Sequence, residues 1–258
     1  MVENLQSQTS PSIRRTELEA LSSSGQKLWK FLEGETTSEQ RASESQWIDE
    51  IAKFKAALVS PALLPSKGII QLQLCRASAS HSLLRSTDAL LCWNQAQTLL
   101  QDWLLDEGQL NLDDLRRLNA CLSGTRKARW RKTDIFTTQV KHLAPGELDS
   151  MMHAFWDHLE VVLRTQHPLY GAFICRYWIL SIHPFENANG RTSQLLADFF
   201  LLKQGYLPQA FTLSVELNLI GDPQRKSFMT PHEAFRRFCR TIVNSYQILG
   251  ISAREGQV

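Results

Sequence analysis

The chain has 258 residues, of which 43% are hydrophobic and 21% are charged, and this balance excludes a disordered protein, a collagen-like repeat and a coiled-coil rod. Its 28 basic and 26 acidic residues give a formal charge of +2, which provides no general attraction for nucleic acid or for a membrane surface. The five cysteines are widely spaced, and neither a signal peptide nor a membrane-spanning segment is visible. We therefore expect a cytoplasmic protein with free thiols and no membrane partner.

The N-terminal part divides into two regions. Residues 1–45 are polar and serine-rich, and we expect a tail that is loose over about the first dozen residues and then contains one short amphipathic helix. From residue 46, apolar side chains such as Trp47, Ile51 and Phe54 recur at steps of three and four, which predicts a helix that ends before Pro61. Another helix is predicted over 69–84, and residues 46–82 are interpreted as a helical extension.

The rest of the chain is predicted to be helical except for one hairpin. Helices are expected over 87–105, 147–165, 168–182, 191–204 and 231–249, and from a cap at Asn111 to a stop at Gly124. The segment 125–143 is basic at first and then rich in Thr, Ile, Phe and Val, which predicts a pair of short strands. Although the basic run contains Trp130, we interpret it as a solvated flank of the hairpin, with no clear nucleic-acid site. The fold class is all-α with one short β-hairpin.

The loop between the helices predicted at 168–182 and 191–204 carries the chemistry. It reads HPFENANGR over residues 183–191. Its small residues let backbone N–H groups approach an anion, and the following helix adds positive charge at its N-terminus. Arg191 can fork onto phosphate oxygens, His183 can take a proton from a hydroxyl, and Phe185 is expected to insert into the core. These residues predict a phosphate site with a general base.

HPFENANGR resembles the signature H-x-F-x-[D/E]-[G/A]-N-[G/K]-R of the Fic (filamentation induced by cAMP) family. The surrounding helices and the upstream hairpin fit that family over about 83–249. The resemblance implies a Fic-like helical domain with a hairpin flap at 83–249 and a C-terminal tail at 250–258. It also implies transfer of AMP from ATP to a Ser, Thr or Tyr hydroxyl of a target protein, with release of pyrophosphate.

The resemblance assigns a role to each matching position. His183 would be the general base that deprotonates the target hydroxyl. Nucleotide and phosphate binding would fall to the loop residues Glu186, Asn187, Ala188, Asn189, Gly190 and Arg191. The hairpin would be the flap that docks the target as an added strand, with Arg131, Thr133, Ile135 and Thr137 as its candidate residues.

Three departures from the family pattern leave alternatives open. Asn187 occupies the acidic position that anchors Mg²⁺, so it is a weak candidate metal ligand and the Mg²⁺ site is weakened. Gln194 replaces a second arginine, and Leu84 replaces the glutamate of the inhibitory helix expected near 80–85. The losses fit relaxed autoinhibition or lost chemistry. The alternatives are a non-enzymatic fold that binds nucleotide or a partner protein, and an enzyme that transfers a different phosphate-containing group. An inhibitory partner or a homodimer also stays open.

Overall fold

The computed structural model describes residues 26, 30, 37–57, 87–106, 109–137, 140–209 and 230–251. The long helices in these residues are α1 (Ser38–Ala57), α2 (Thr87–Leu105), α3 (Leu112–Ser123), α4 (Leu148–Thr165), α5 (Pro168–Ile182), α6 (Asn189–Lys203) and α7 (Pro231–Ile248). A 3₁₀ turn at Pro145–Glu147 precedes α4. Strands β1 (Phe136–Thr137) and β2 (Val140–Lys141) pair antiparallel, with Phe136 opposite Lys141. The described fold is mostly helical, as predicted.

Helix α1 begins at Ser38, eight residues before the start that was predicted at residue 46. The cause is local: Gln40 N donates to Thr37 Oγ1 at 3.2 Å, and Thr37 N donates to Gln40 Oε1 at 2.9 Å. This reciprocal pair is a capping box, which satisfies two backbone donors at a helix start. Residues 58–86, including the helix predicted over 69–84 and the inhibitory-helix position, lie outside the described residues.

The buried carboxylate of Glu44 ties α1 to the rest of the fold. It accepts a hydrogen bond from the Tyr170 hydroxyl on α5 and pairs with Nδ1 of His232 on α7. A buried carboxylate requires such partners, because leaving it unpaired would cost much of its hydration energy. Helix α1 also packs along α7. Residues 38–57 are therefore packed against the helices of the predicted Fic-like region.

Local capping chemistry sets both ends of α3 and the start of α5 as the sequence predicts. Asn111 Oδ1 accepts from Asp113 N at 2.8 Å and from Asp114 N at 3.2 Å, which starts α3. Gly124 ends that helix in the left-handed region, at φ 69°. His167 caps α5 by accepting from Leu169 N at 3.3 Å, so its role is structural.

Helix α5 lies at the centre of the core and is apolar on nearly all sides. It packs against α4, α6 and α7, and Trp178 on α5 stacks on Phe155 on α4 with ring centroids 5.6 Å apart. Most of α6 is buried as well. Since both helices are held by packing, the short loop that joins them is fixed at its two ends. None of the described helices is long and apolar enough to cross a membrane.

Candidate active site at the α5–α6 loop

His183 ends α5 in an unusual backbone conformation. Its φ of 55° and ψ of 59° lie in the left-handed region, while its backbone N–H still donates to Ile179 O at 2.9 Å. Left-handed conformations are unfavourable for residues other than glycine and persist only where the surroundings fix them. The backbone at His183 is therefore set by its contacts, and these come from the hairpin.

The His183 imidazole is neutral at physiological pH. Its ring lies against His142, with centroids 4.5 Å apart. Burial and, secondarily, His142 lower the pKa of His183 to about 4. Its Nδ1 is buried and has no hydrogen-bond partner in the described part of the chain, so Nε2 is the candidate nitrogen for proton transfer. A neutral imidazole can accept a proton at its unprotonated nitrogen.

Asn189 closes the loop on itself. Its Oδ1 accepts from Phe185 N at 2.9 Å, and its Nδ2 donates to Phe185 O at 2.7 Å. The Asn189 side chain is buried, so its amide shapes the loop and leaves only its backbone N–H for a phosphate. Phe185 is buried against Trp130, with ring centroids 5.2 Å apart, which confirms the prediction that it inserts into the core.

The start of α6 has the features of an anion site. The helix begins at Asn189, earlier than predicted, so the N–H groups of Asn189, Gly190 and Arg191 belong to its first turn. Ala188, at φ 62°, caps it without a side-chain hydrogen bond, and Thr192 N makes the first intrahelical bond to Ala188 O at 2.8 Å. A Cβ built on Gly190 would meet nothing within 4 Å. The first N–H groups of a helix have no partner within the helix, and at the positive end of its dipole they favour a phosphate.

Arg191 adds a full positive charge to this helix end. The side chain is half-buried, and it makes no hydrogen bond or ion pair with another residue that the structure describes. Burial lowers the pKa of its guanidinium, which nevertheless remains protonated. A partly desolvated cation without an acidic partner is stabilised by an incoming anion. Glu186, the nearest acid in sequence, is exposed.

Asn187 is exposed, and its side chain does not fit a resident Mg²⁺. Its Oδ1 accepts from Ala188 N at 2.7 Å, so its one ligand oxygen already has a hydrogen bond. Within the described ranges, no group of three His, Cys, Asp or Glu residues converges on a cation position. Asn119, which the sequence analysis missed, fixes the backbone here: its Nδ2 donates to Asn187 O and Thr192 Oγ1, both at 2.9 Å. A polar residue on the buried stripe of α3 is the signal that could have revealed it.

The predicted flap residues separate into two groups. The Arg131 side chain is buried beneath the loop, and its backbone N–H donates to Pro184 O at 2.9 Å. Thr133 is exposed, Ile135 is partly exposed, and Thr137 lies in β1. Phe136, which was not predicted, has 65% of its surface exposed on β1.

The central part of the chain matches the model of a known protein family. Residues 109–201 match the model of the Fic/DOC family. A protein named protein adenylyltransferase Fic from Nematostella vectensis is 31% identical over 108 residues, which cover 38% of this chain and 24% of that protein. A protein of the same name from Drosophila sechellia is 41% identical over 95 residues, which cover 36% of this chain and 19% of that protein. The chain thus spans a quarter or less of these relatives.

Solved structures share the fold at low sequence identity. A Fic family protein from Desulfovibrio desulfuricans G20 superposes with a TM-score of 0.61 at 17% identity, covering 82% of this chain and 74% of that one. A variant of IbpAFic2 in complex with adenylylated Cdc42 gives a TM-score of 0.59 at 18% identity, covering 77% and 70%. The motif, the family match and the shared fold agree: residues 109–201 match the Fic/DOC family model, and the solved structures that share the fold are Fic domain proteins.

Proposed function

We propose that this protein transfers AMP from ATP to a Ser, Thr or Tyr hydroxyl of a target protein. The observation that carries the proposal is the combination, in one short loop, of a neutral His183 and an Arg191 that pairs with no acid among the described residues, beside the first-turn N–H groups of α6. The relatives named protein adenylyltransferase support the same reaction, as does the adenylylated Cdc42 bound to IbpAFic2.

In the proposed reaction His183 removes a proton, and Arg191 with the N–H groups of 189–191 binds the phosphates. The target hydroxyl oxygen attacks the α-phosphorus of ATP while Nε2 of His183 takes the hydroxyl proton. A bond forms between that oxygen and the α-phosphorus, and the bond from the α-phosphorus to the bridging oxygen breaks. Pyrophosphate leaves with the electron pair. Arg191 and the N–H groups of 189–191 stabilise the negative charge on the phosphates during this exchange.

The hairpin offers main-chain groups to a target. Since His142 N donates to Ile135 O at 3.2 Å, Phe136 and Lys141 form the pair that shares no hydrogen bonds across the ladder. In an antiparallel ladder such a residue turns both its N–H and its C=O to the outer edge. Phe136 therefore presents a free donor and acceptor beside its exposed ring. An extended target segment can add to this edge as a third strand.

Replacing Phe136 with proline should lower target modification, because proline removes the outward N–H of this edge. Phe136→Ala is the matched control, since it removes the ring but keeps the donor. We expect the proline variant to lose more modification than the alanine variant, with ATP affinity unchanged in both, as measured by label transfer and by calorimetry. Equal losses in the two variants would show that the ring, and not the strand edge, docks the target.

The proposed reaction is tested by incubating the chain with ATP labelled at either the α- or the γ-phosphate, with and without magnesium. Label from α-ATP alone on protein, including the chain itself, is the expected result. Label from γ-ATP would instead indicate transfer of a different phosphate group. Nucleotide binding without label from either position would support a binding module.

The binding-module alternative is favoured by Asn187. An amide at this position offers one oxygen and no charge, and that oxygen already accepts from Ala188 N. A fold that holds nucleotide without transferring it would account for this loss. The two functions differ in what a carboxylate at this position should do.

Asn187→Asp should raise the transfer rate about 10-fold or more and make it depend more steeply on magnesium, which requires only about 1.4 kcal/mol of transition-state stabilisation. One carboxylate oxygen can keep the bond from Ala188 N while the other is available to a cation, with the new charge shared by both oxygens. The rate is measured against magnesium concentration for the natural chain, Asn187→Asp and Glu186→Gln. A collapse in Glu186→Gln without a gain in Asn187→Asp would place the metal anchor at Glu186. Inactivity in all three would favour the binding module.

A further inference from the structure

The buried guanidinium of Arg131 joins the hairpin to the end of α5. Only 2% of Arg131 is exposed. Its Nε donates to His183 O at 2.7 Å, and its two terminal nitrogens donate to Thr133 O at 2.8 Å, to Ile182 O at 3.4 Å and to Leu143 O. Thr133 and Leu143 flank the two strands, whereas Ile182 and His183 end the helix. One side chain thus bridges both elements.

The base of the hairpin binds four consecutive carbonyls of the chain at the end of α5. Besides the two that the Arg131 side chain binds, Pro184 O accepts from Arg131 N at 2.9 Å, and Ser181 O lies 2.9 Å from Nδ1 of His142. The last carbonyls of a helix have no partner within the helix, and a cation near them also offsets the negative end of its dipole. Residues 131 and 142, one on each side of the hairpin, therefore satisfy the carbonyls of 181–184.

The hydrogen bonds from Arg131 and His142 lie on both sides of His183, whose backbone conformation is unfavourable. The left-handed turn at His183 decides where its imidazole lies relative to the loop. A misplacement of about 1 Å in a reacting group can cost about 100-fold in rate. Because residue 183 is not a glycine, its left-handed conformation needs outside support. The hydrogen bonds from Arg131 and His142 to the carbonyls of 181–184 supply it. An arginine suits this task because its planar fork can bind several acceptors at once, whereas a lysine presents a point charge.

We propose that Arg131 is a positioning residue. It holds the general base His183 in its left-handed turn and keeps His183 and the hairpin in a fixed relative position. A target bound to the strand edge then arrives in a set position relative to Nε2. This inference rests on the proposed AMP transfer, but the contacts of Arg131 can be tested without it.

Arg131→Lys should lower kcat about 100-fold with KM for ATP nearly unchanged, because the charge is kept while the fork is lost. Arg129→Lys is the matched control: Arg129 is an exposed member of the same basic run, and its kcat should equal that of the natural chain. A purely structural role would lower the melting temperature and change kcat and KM together. Such a parallel change, or an unchanged kcat, would overturn the proposal.

The second readout is the position of the His183 ring, measured by NMR, which needs no activity. In the natural chain the His183 ring lies against His142, with centroids 4.5 Å apart. In folded Arg131→Lys, which keeps the charge but loses the fork, the nuclear Overhauser contacts between the two rings should weaken, and they should persist in Arg129→Lys. Unchanged ring contacts in folded Arg131→Lys would overturn the proposal. If the natural chain transfers no AMP, the proposed function fails, and this measurement of the ring contacts still decides whether Arg131 positions His183.

Discussion

Replacing His183 with alanine should lower the rate of AMP transfer by about 10²- to 10⁴-fold, which is the usual contribution of a positioned general base. The target hydroxyl would then have to lose its proton to water during attack on the α-phosphorus. ATP affinity should change little, because the phosphate contacts that we propose come from Arg191 and the first turn of α6. Label incorporation from α-labelled ATP measures the rate, and calorimetry measures the affinity.

His153→Ala is the control for the His183 variant. His153 lies on α4 with 62% of its side chain exposed, so its loss should alter neither quantity. Two results would contradict the assignment of the base. One is transfer by His183→Ala at the natural rate, and the other is a loss of ATP binding as large as the loss of rate.

Replacing Arg191 with alanine should weaken ATP binding by about 1.5–3 kcal/mol, the usual value of a hydrogen bond to a charged group, which corresponds to roughly 10- to 150-fold in the dissociation constant. Adenosine, which has no phosphate, should bind both proteins equally. ATP and adenosine should differ because the half-buried guanidinium of Arg191 lies in the first turn of α6, where we propose that the phosphates bind. Titration calorimetry with the two ligands separates these effects.

Arg117→Ala serves as the control, because it removes an exposed cation from α3 and changes the net charge by the same amount. If Arg117→Ala weakened ATP as much as Arg191→Ala does, general electrostatic attraction would explain the effect. If Arg191→Ala weakened adenosine and ATP equally, the arginine would support the loop structure and would have no special role at the phosphates.

Local chemistry explains the parts of the fold that the sequence predicts correctly. Asn111 and Gly124 bound α3 because side-chain capping and a positive φ act over only a few residues. Local chemistry also explains the prediction for the HPFENANGR loop, because Phe185 is apolar whereas Arg191 is charged.

The start of α1 was mispredicted although Thr37 and Gln40 form a capping box that can be read from the sequence, since the surrounding serines suggested a polar tail.

Tertiary contacts explain what the sequence analysis missed. Arg131 stands in a run of exposed basic residues and has no local feature that marks it as buried. Its environment depends on the carbonyls of Ile182 and His183, some fifty positions away along the chain. His142 likewise has no partner at helical spacing, and only folding brings its ring against His183. Such long-range polar contacts follow no periodicity, so pattern analysis cannot find them.

The paired bonds between Asn189 and Phe185 have a thermodynamic consequence. Because both backbone groups of Phe185 are bonded to one amide within the chain, the curve of the loop is a property of the ligand-free protein. An arriving nucleotide does not have to freeze that segment, so little conformational entropy is lost on binding. Less of the free energy of the phosphate contacts is therefore spent on ordering the loop. This low ordering cost offers one way for the loop to hold nucleotide although Asn187 supplies no carboxylate.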